Sequence, residues 1–160
     1  MHPSTARGAI RRLQAGDQEQ LVLLFQAFAA DERITRHFHP HPFDRETAWK
    51  IAHYSGSDVY LGFFWHEQLV GYAMLRGWDE GYEVPAFGVA VAPHHEGFGV
   101  GGELLRACVD EARSRGARKM MLRVYRDNER ALRWYLSFGF EQCGIADDGQ
   151  LILELHLTPT

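Results

Sequence analysis

"VAVAPHHEGFGVGGELL", residues 89–105, passes from an apolar stretch through a short loop into the apolar repeat of a helix, and places four glycines (97, 99, 101 and 102) at the turn. Glycine loses more conformational freedom on folding than any other residue. A cluster of it where a helix starts is therefore unfavourable unless something must approach the backbone closely. A helix N-terminus carries unpaired N–H groups and the positive end of the macrodipole. With side chains absent, this turn is built to take an anion, and a pyrophosphate fits it best.

Outward from this turn, the pattern alternates strands and helices. "AIRRL" (9–13) reads as a first strand, and Asp17 with Gln20 resembles a capping box for a helix to about Ala30 that puts Leu21, Leu24, Phe25 and Phe28 on one face. "HFHPHPF" (37–43) breaks that helix. Asp44 then caps a second helix from Arg45 to His53, with Trp49 and Ala52 expected inward. "VYLGFFW" and "LVGYAMLR", separated by "HEQ", form a hairpin. "PAFGVAV" (85–91) is a buried strand, and residues 99–115 form a helix with its stop at Gly116. "RKMMLRV" is a strand and "NERALRWYLSF" a helix ended by Gly139, while "FEQCG" and "LILELHL" pair across "DDG". A helical crossover inside a hairpin-connected sheet gives an α+β fold: a mixed, mostly antiparallel seven-stranded sheet with four helices.

Bulk properties narrow the function. With 160 residues, one domain over 1–160 is expected. The net charge of −4 argues against nucleic acid as a partner. The two cysteines, Cys108 and Cys143, have no metal or redox spacing. The run "LVLLF" (21–25) is too short to span a bilayer, and Asp17 and Glu19 before it are wrong for a signal peptide. A cytoplasmic protein without a membrane partner is expected.

Three ligand classes compete for the glycine turn. A nucleotide P-loop requires Lys and then Ser or Thr after the last glycine, and Gly102 is followed by Glu103. The dinucleotide pattern G-x-G-x-x-G is met by Gly97, Gly99 and Gly102, but "APHHE" separates the strand from the turn and "MMLRVY" ends without the acid that would hold a ribose. Coenzyme A is the third class.

Here the sequence resembles a known family. "VAVAPHHEGFGVGGELL" and "NERALRWYLSFGF" resemble the two signatures of the GNAT N-acetyltransferases, and the order of strands and helices is similar along nearly the whole chain. The resemblance implies acetyl-CoA as co-substrate and direct transfer of its acetyl group to a primary amine. The acceptor is expected to be a small molecule such as an amino sugar or polyamine; the alternatives are a protein or peptide N-terminus, or a non-catalytic acyl-CoA-binding module. By the same resemblance, the strand Val89, Ala90, Val91 holds the pantetheine arm, and the N–H of Val89 or Val91 polarises the thioester carbonyl. Glu96, Gly97, Phe98, Gly99, Val100, Gly101 and Gly102 cradle the pyrophosphate. Tyr135 contacts the cofactor and protonates the departing sulfur. Asn128 is either a cofactor contact or simply a helix cap. Glu83 is the base or a solvated charge, with Tyr82 and Glu80 as substitutes. The segment between the first two helices lines the acceptor pocket, so His37, Phe38, His39 and His41 are substrate-binding or packing residues, with Phe43 and Trp49 as further apolar walls. No metal is expected, because the three histidines lack an acidic or thiol partner. The resemblance is compatible with a homodimer. One departure stands out: the family carries Gln or Arg three residues before Gly99, and this chain has Glu96, whose side chain is expected to point outward while its N–H serves the anion.

Overall fold

The hairpin at the centre of the sheet shows how this sequence folds. In β2 (Val59–Trp65) and β3 (Gln68–Arg76), successive side chains alternate between two apolar faces: Ala73 and Leu75 join one core cluster, Tyr72 and Met74 the other. Such strands are stable only when covered on both sides, and they are. The turn between them, His66 and Glu67, has both residues at positive φ (50° and 68°), the geometry of a two-residue hairpin loop. The computed structural model of the protein describes residues 8–158, so residues 1–7 and 159–160 of the expected domain lie outside it.

The sheet runs β1-β2-β3-β4-β5-β7-β6. β1 is Gly8–Arg12, β4 Ala86–Val91, β5 Lys119–Val124, β6 Glu141–Ile145 and β7 Leu151–His156. All neighbours are antiparallel except β4 and β5. One face carries α4 (Val100–Ser114) and α5 (Glu129–Phe138), and the other carries α1 (Gln18–Ala29) and α3 (Arg45–Ala52). The expected four helices are joined by a fifth, the single turn α2 (Glu32–Thr35), which Asp31 caps by accepting from Arg33 N at 2.9 Å.

Two sequence readings on the first helix are corrected. Asp17 does not cap α1; its buried carboxylate turns back to Arg11 (2.7 and 2.8 Å) and to the amide of Gln14 (2.7 Å). Gln20 is no capping-box partner either, because its side-chain amide clamps the hairpin, donating to Glu67 O at 2.9 Å and accepting from Leu69 N at 2.7 Å. Ala52 is inward as expected, but Trp49 is 51% exposed and stacks on His53; Ala48 and Ile51 fill the interior instead.

The join between β4 and β5 matters most for the site. The two strands pair in parallel at Ala86 and Met121 only. Beyond that point they diverge, dividing the sheet into a β1–β4 half and a β5–β7 half with a wedge between them. Ala92 N donates to Val70 O on the β3 side, so by strand alternation Phe87, Val89 and Val91 turn their N–H and C=O groups toward β5; the single parallel pair takes up the Phe87 N–H, and the N–H groups of Val89 and Val91 face the wedge.

Candidate active site

Two cavities meet in the wedge. The first, about 510 Å³, is lined by Val89, Ala90 and Val91 of β4, by the glycine turn and by the start of α5. The second, about 1040 Å³, lies over the β3–β4–β5 surface, walled by residues 37–40 and by the loop ahead of β4. His37, Phe38, Phe87, Gly88 and Arg123 line both, so the cavities adjoin there.

At the glycine turn the backbone explains the sequence. Gly97 and Gly99 both have φ of 84°, in the left-handed region where any side chain is strained, and Gly99 is the N-cap of α4. Gly101 is helical, and its nearest neighbours to a notional Cβ are Trp134 and Val91 at 3.8 Å. Its missing side chain therefore opens space rather than relieving a clash. Glu96, Gly97, Gly99, Val100, Gly101 and Gly102 all line the first cavity; Phe98 does not, since its exposed ring lies against Trp65. The Glu96 carboxylate does not stand free in solvent: it accepts from Arg33 Nη2 at 2.9 Å, and Arg33 lines the same cavity.

The α5 region contributes two of the expected site residues. Asn128 occupies the N-cap, but its side chain makes no capping bond and lines the first cavity. Tyr135, about two turns further along, is buried against Phe87, Phe140 and Trp134 and lines that cavity too. Desolvation pushes its phenol well above the ordinary tyrosine range, so the proton stays on oxygen at neutral pH.

The histidine segment divides. His37 and Phe38 line both cavities and His39 the second. The His37 ring Nε2 lies 3.1 Å from Asp127 Oδ1, Arg36 donates to Asp127 Oδ2 at 2.8 Å, and His39 Nε2 lies 2.9 Å from the Tyr125 hydroxyl. Desolvation would raise the Asp127 carboxyl, yet the His37 and Arg36 bonds outweigh it and hold the group below its usual range. His41 reaches neither cavity. Its ring packs on Phe25, Phe43 and Tyr72, with Nε2 at 2.9 Å from the Tyr72 hydroxyl and Nδ1 at 2.8 Å from Pro42 O, a packing residue rather than a substrate contact. Phe43 joins the same cluster.

Glu83 is exposed in the loop ahead of β4 and lines neither cavity, whereas Glu80 and Tyr82 line the second. That cavity also holds Arg76, Asp58 and Asp79, which sequence reasoning missed. Asp58 and Asp79 are committed to the fold: Asp58 accepts from Gly77 N and Asp79 N, and Asp79 from Ser57 N and the Tyr54 hydroxyl. Cys108 is buried on the core face of α4, and burial pushes its thiol far up, which removes it as an acyl carrier. Among the described residues no group of three or more His, Cys, Asp or Glu side chains is arranged to hold a metal ion, and no helix is long and apolar enough to cross a membrane.

Comparison with known proteins agrees with this geometry. The chain is 34% identical over 140 residues to the N-alpha-acetyltransferase RimI of Mycobacterium tuberculosis, covering 86% of this chain and 79% of that one. It is 34% identical over 110 residues to an uncharacterized protein of Mycobacterium leprae, covering 64% of this chain but only 30% of the relative's length. Among solved structures, the PaiA N-acetyltransferase of Thermoplasma acidophilum in complex with coenzyme A superposes with a TM-score of 0.76 at 19% identity, covering 93% of this chain and 98% of that one. The sequence model described as "Acetyltransferase (GNAT) family" matches residues 24–140, and the chain belongs to that family.

Proposed function

We propose that the protein is an acetyl-CoA-dependent N-acetyltransferase that passes the acetyl group directly to a primary amine of a small molecule. The observation that carries this reading is the wedge between β4 and β5. It leaves the amides of Val89 and Val91 without sheet partners between a glycine-rich anion turn and an acceptor-sized cavity. Coenzyme A has the matching form: a diphosphate for the bare amides of α4, an amide-bearing arm that adds to β4 like a strand, and a thioester at the junction.

At that junction the amine nitrogen attacks the carbonyl carbon and a tetrahedral oxyanion forms, stabilised by the N–H of Val89 or Val91. As the intermediate collapses, the C–S bond breaks and the C–N bond remains. Tyr135 gives its proton to the sulfur and is restored by the proton that the cationic nitrogen of the intermediate sheds as the amide forms, a role supported by its burial against Phe87 and its retained proton. The amine must first lose its own proton. With Glu83 outside both cavities, His37 is the better base: it lines the junction, and Asp127 orients its ring. Asn128 contacts the cofactor through its uncommitted side chain.

The similarity to RimI favours a second reading, a peptide α-amine as acceptor. Thiol release from acetyl-CoA against an amino sugar, a polyamine and an N-terminal peptide tests both. Turnover with the small amines supports the first reading, and turnover with the peptide alone replaces it with the second. No heat of coenzyme A binding and no rise in melting temperature would overturn the acetyltransferase reading altogether.

A further inference from the structure

A carboxylate at the mouth of an anion site opposes the ligand that the site is built for, so Glu96 requires an explanation. The structure supplies one in Arg33, from an element remote in sequence. Arg33 Nη2 donates to Glu96 Oε1 at 2.9 Å and to Asp31 Oδ2 at 2.9 Å, while Asp31 is itself fixed as the cap of α2 by the Arg33 amide. Both bonds of the guanidinium use the same nitrogen. Nη1 and Nε therefore have no partner among the described residues, and Arg33, like Glu96, lines the first cavity.

The geometry points to Arg33 as a ligand of the cofactor's diphosphate, with Glu96 and Asp31 as positioning residues that hold the guanidinium by one nitrogen and leave its other edge to the anion. A guanidinium offers five N–H donors in a rigid fork, so it can serve two carboxylates and a phosphate together. The cation at this turn comes from α2, and the adjoining loop residue keeps it in place. This inference rests on the reading that coenzyme A occupies the first cavity. It adds a consequence: the α2 turn that holds Arg33 leads directly into His37 and Phe38, so binding the diphosphate steadies the wall of the acceptor cavity as well.

Calorimetry on the full chain with coenzyme A and with dephospho-coenzyme A tests the assignment. Arg33→Gln should weaken both ligands about tenfold, the loss of a charge-assisted contact, and raise the KM for acetyl-CoA ahead of any fall in kcat. Arg33→Lys should recover only part of the loss, because a point charge does not reproduce the fork. Glu96→Gln should tighten coenzyme A by several-fold where Arg33 is already Gln, exposing the repulsion that Arg33 masks, and should give no gain where Arg33 is present, because losing the carboxylate that holds the guanidinium offsets the relief of repulsion. Unchanged affinity in Arg33→Gln overturns the proposal. So does weakening of coenzyme A without weakening of dephospho-coenzyme A, which would assign Arg33 to the 3′-phosphate, and so does an equal effect of Glu96→Gln in both backgrounds. If the unmodified protein binds neither ligand, the coenzyme A reading itself fails, and that result is distinct from the others.

Discussion

A phenol that hands its proton to a departing thiolate has to keep that proton until the sulfur calls for it, and Tyr135 is held in that state by desolvation among Phe87, Trp134 and Phe140. Among the described residues no hydrogen bond engages its hydroxyl, so removing the oxygen should leave folding intact. Tyr135→Phe is therefore expected to lower kcat by about 10²-fold or more, with the melting midpoint and the KM for acetyl-CoA little changed. Steady-state thiol release and a thermal melt measure both, and undiminished kcat would remove Tyr135 as the acid. This proposed role was already suggested by the sequence, where the spacing of Tyr135 from Asn128 and Gly139 resembles a family motif. The histidines had no such anchor. His37, His39 and His41 alternate in the chain, yet Phe25 of α1 and Tyr72 of β3 draw His41 into the core while Asp127 and Tyr125 hold the other two at the cavities. Those partners lie far away in sequence, so periodicity could not separate the three.

Among the elements, the entrance of α4 joins two demands that can be tested apart. Gly99 meets a backbone demand, since its φ of 84° costs any other L-residue about 1–2 kcal/mol. Gly99→Ala should lower the melting temperature and weaken coenzyme A binding together. Gly101 meets the ligand demand of the proposed cofactor cradle. A methyl there makes only ordinary contacts at 3.8 Å and improves helix propensity by up to about 1 kcal/mol. Gly101→Ala should therefore leave the melting temperature unchanged or higher while weakening coenzyme A about tenfold; a melt and a titration on the same samples decide, and unchanged affinity would remove Gly101 from the cofactor cradle. The hairpin offers a simpler case. His66 and Glu67 sit at positive φ, so the pair His66→Asn with Glu67→Gly should raise unfolding free energy by about 0.5–1 kcal/mol in denaturant titrations. Both elements were readable from local chemistry. The start of α1 was not, because Asp17 and Gln20 have the right spacing for a capping box but stronger partners elsewhere, in Arg11 and in the hairpin loop. A capping pattern states what a side chain can do locally and is silent on tertiary competition.

At the scale of the whole molecule, two sheet halves meet at one residue pair, so the packing on either face must hold the wedge open at its proper width. On the α1 face that packing includes an ionisable ring. His41 lies among Phe25, Phe43 and Tyr72, and desolvation pushes its pKa below the ordinary 6.5, against the hydrogen bond to Pro42 that favours the charged form. Above about pH 6.5 the ring is neutral in both folded and unfolded chains and the full stability is present. As pH falls below that value the unfolded chain takes up a proton more readily than the folded one, so unfolding becomes easier, and the loss continues until the pH passes the folded pKa. The carboxyls of Asp17, Asp31, Asp44 and Asp79 are held below 3.8 and act in the same direction, but only at much lower pH. Denaturant titrations between about pH 7.5 and pH 5 should therefore show stability declining in the unmodified protein and a shallower slope in His41→Gln, whatever that substitution costs at neutral pH. Equal slopes would mean that the half-buried imidazole does not couple the α1 core to proton uptake.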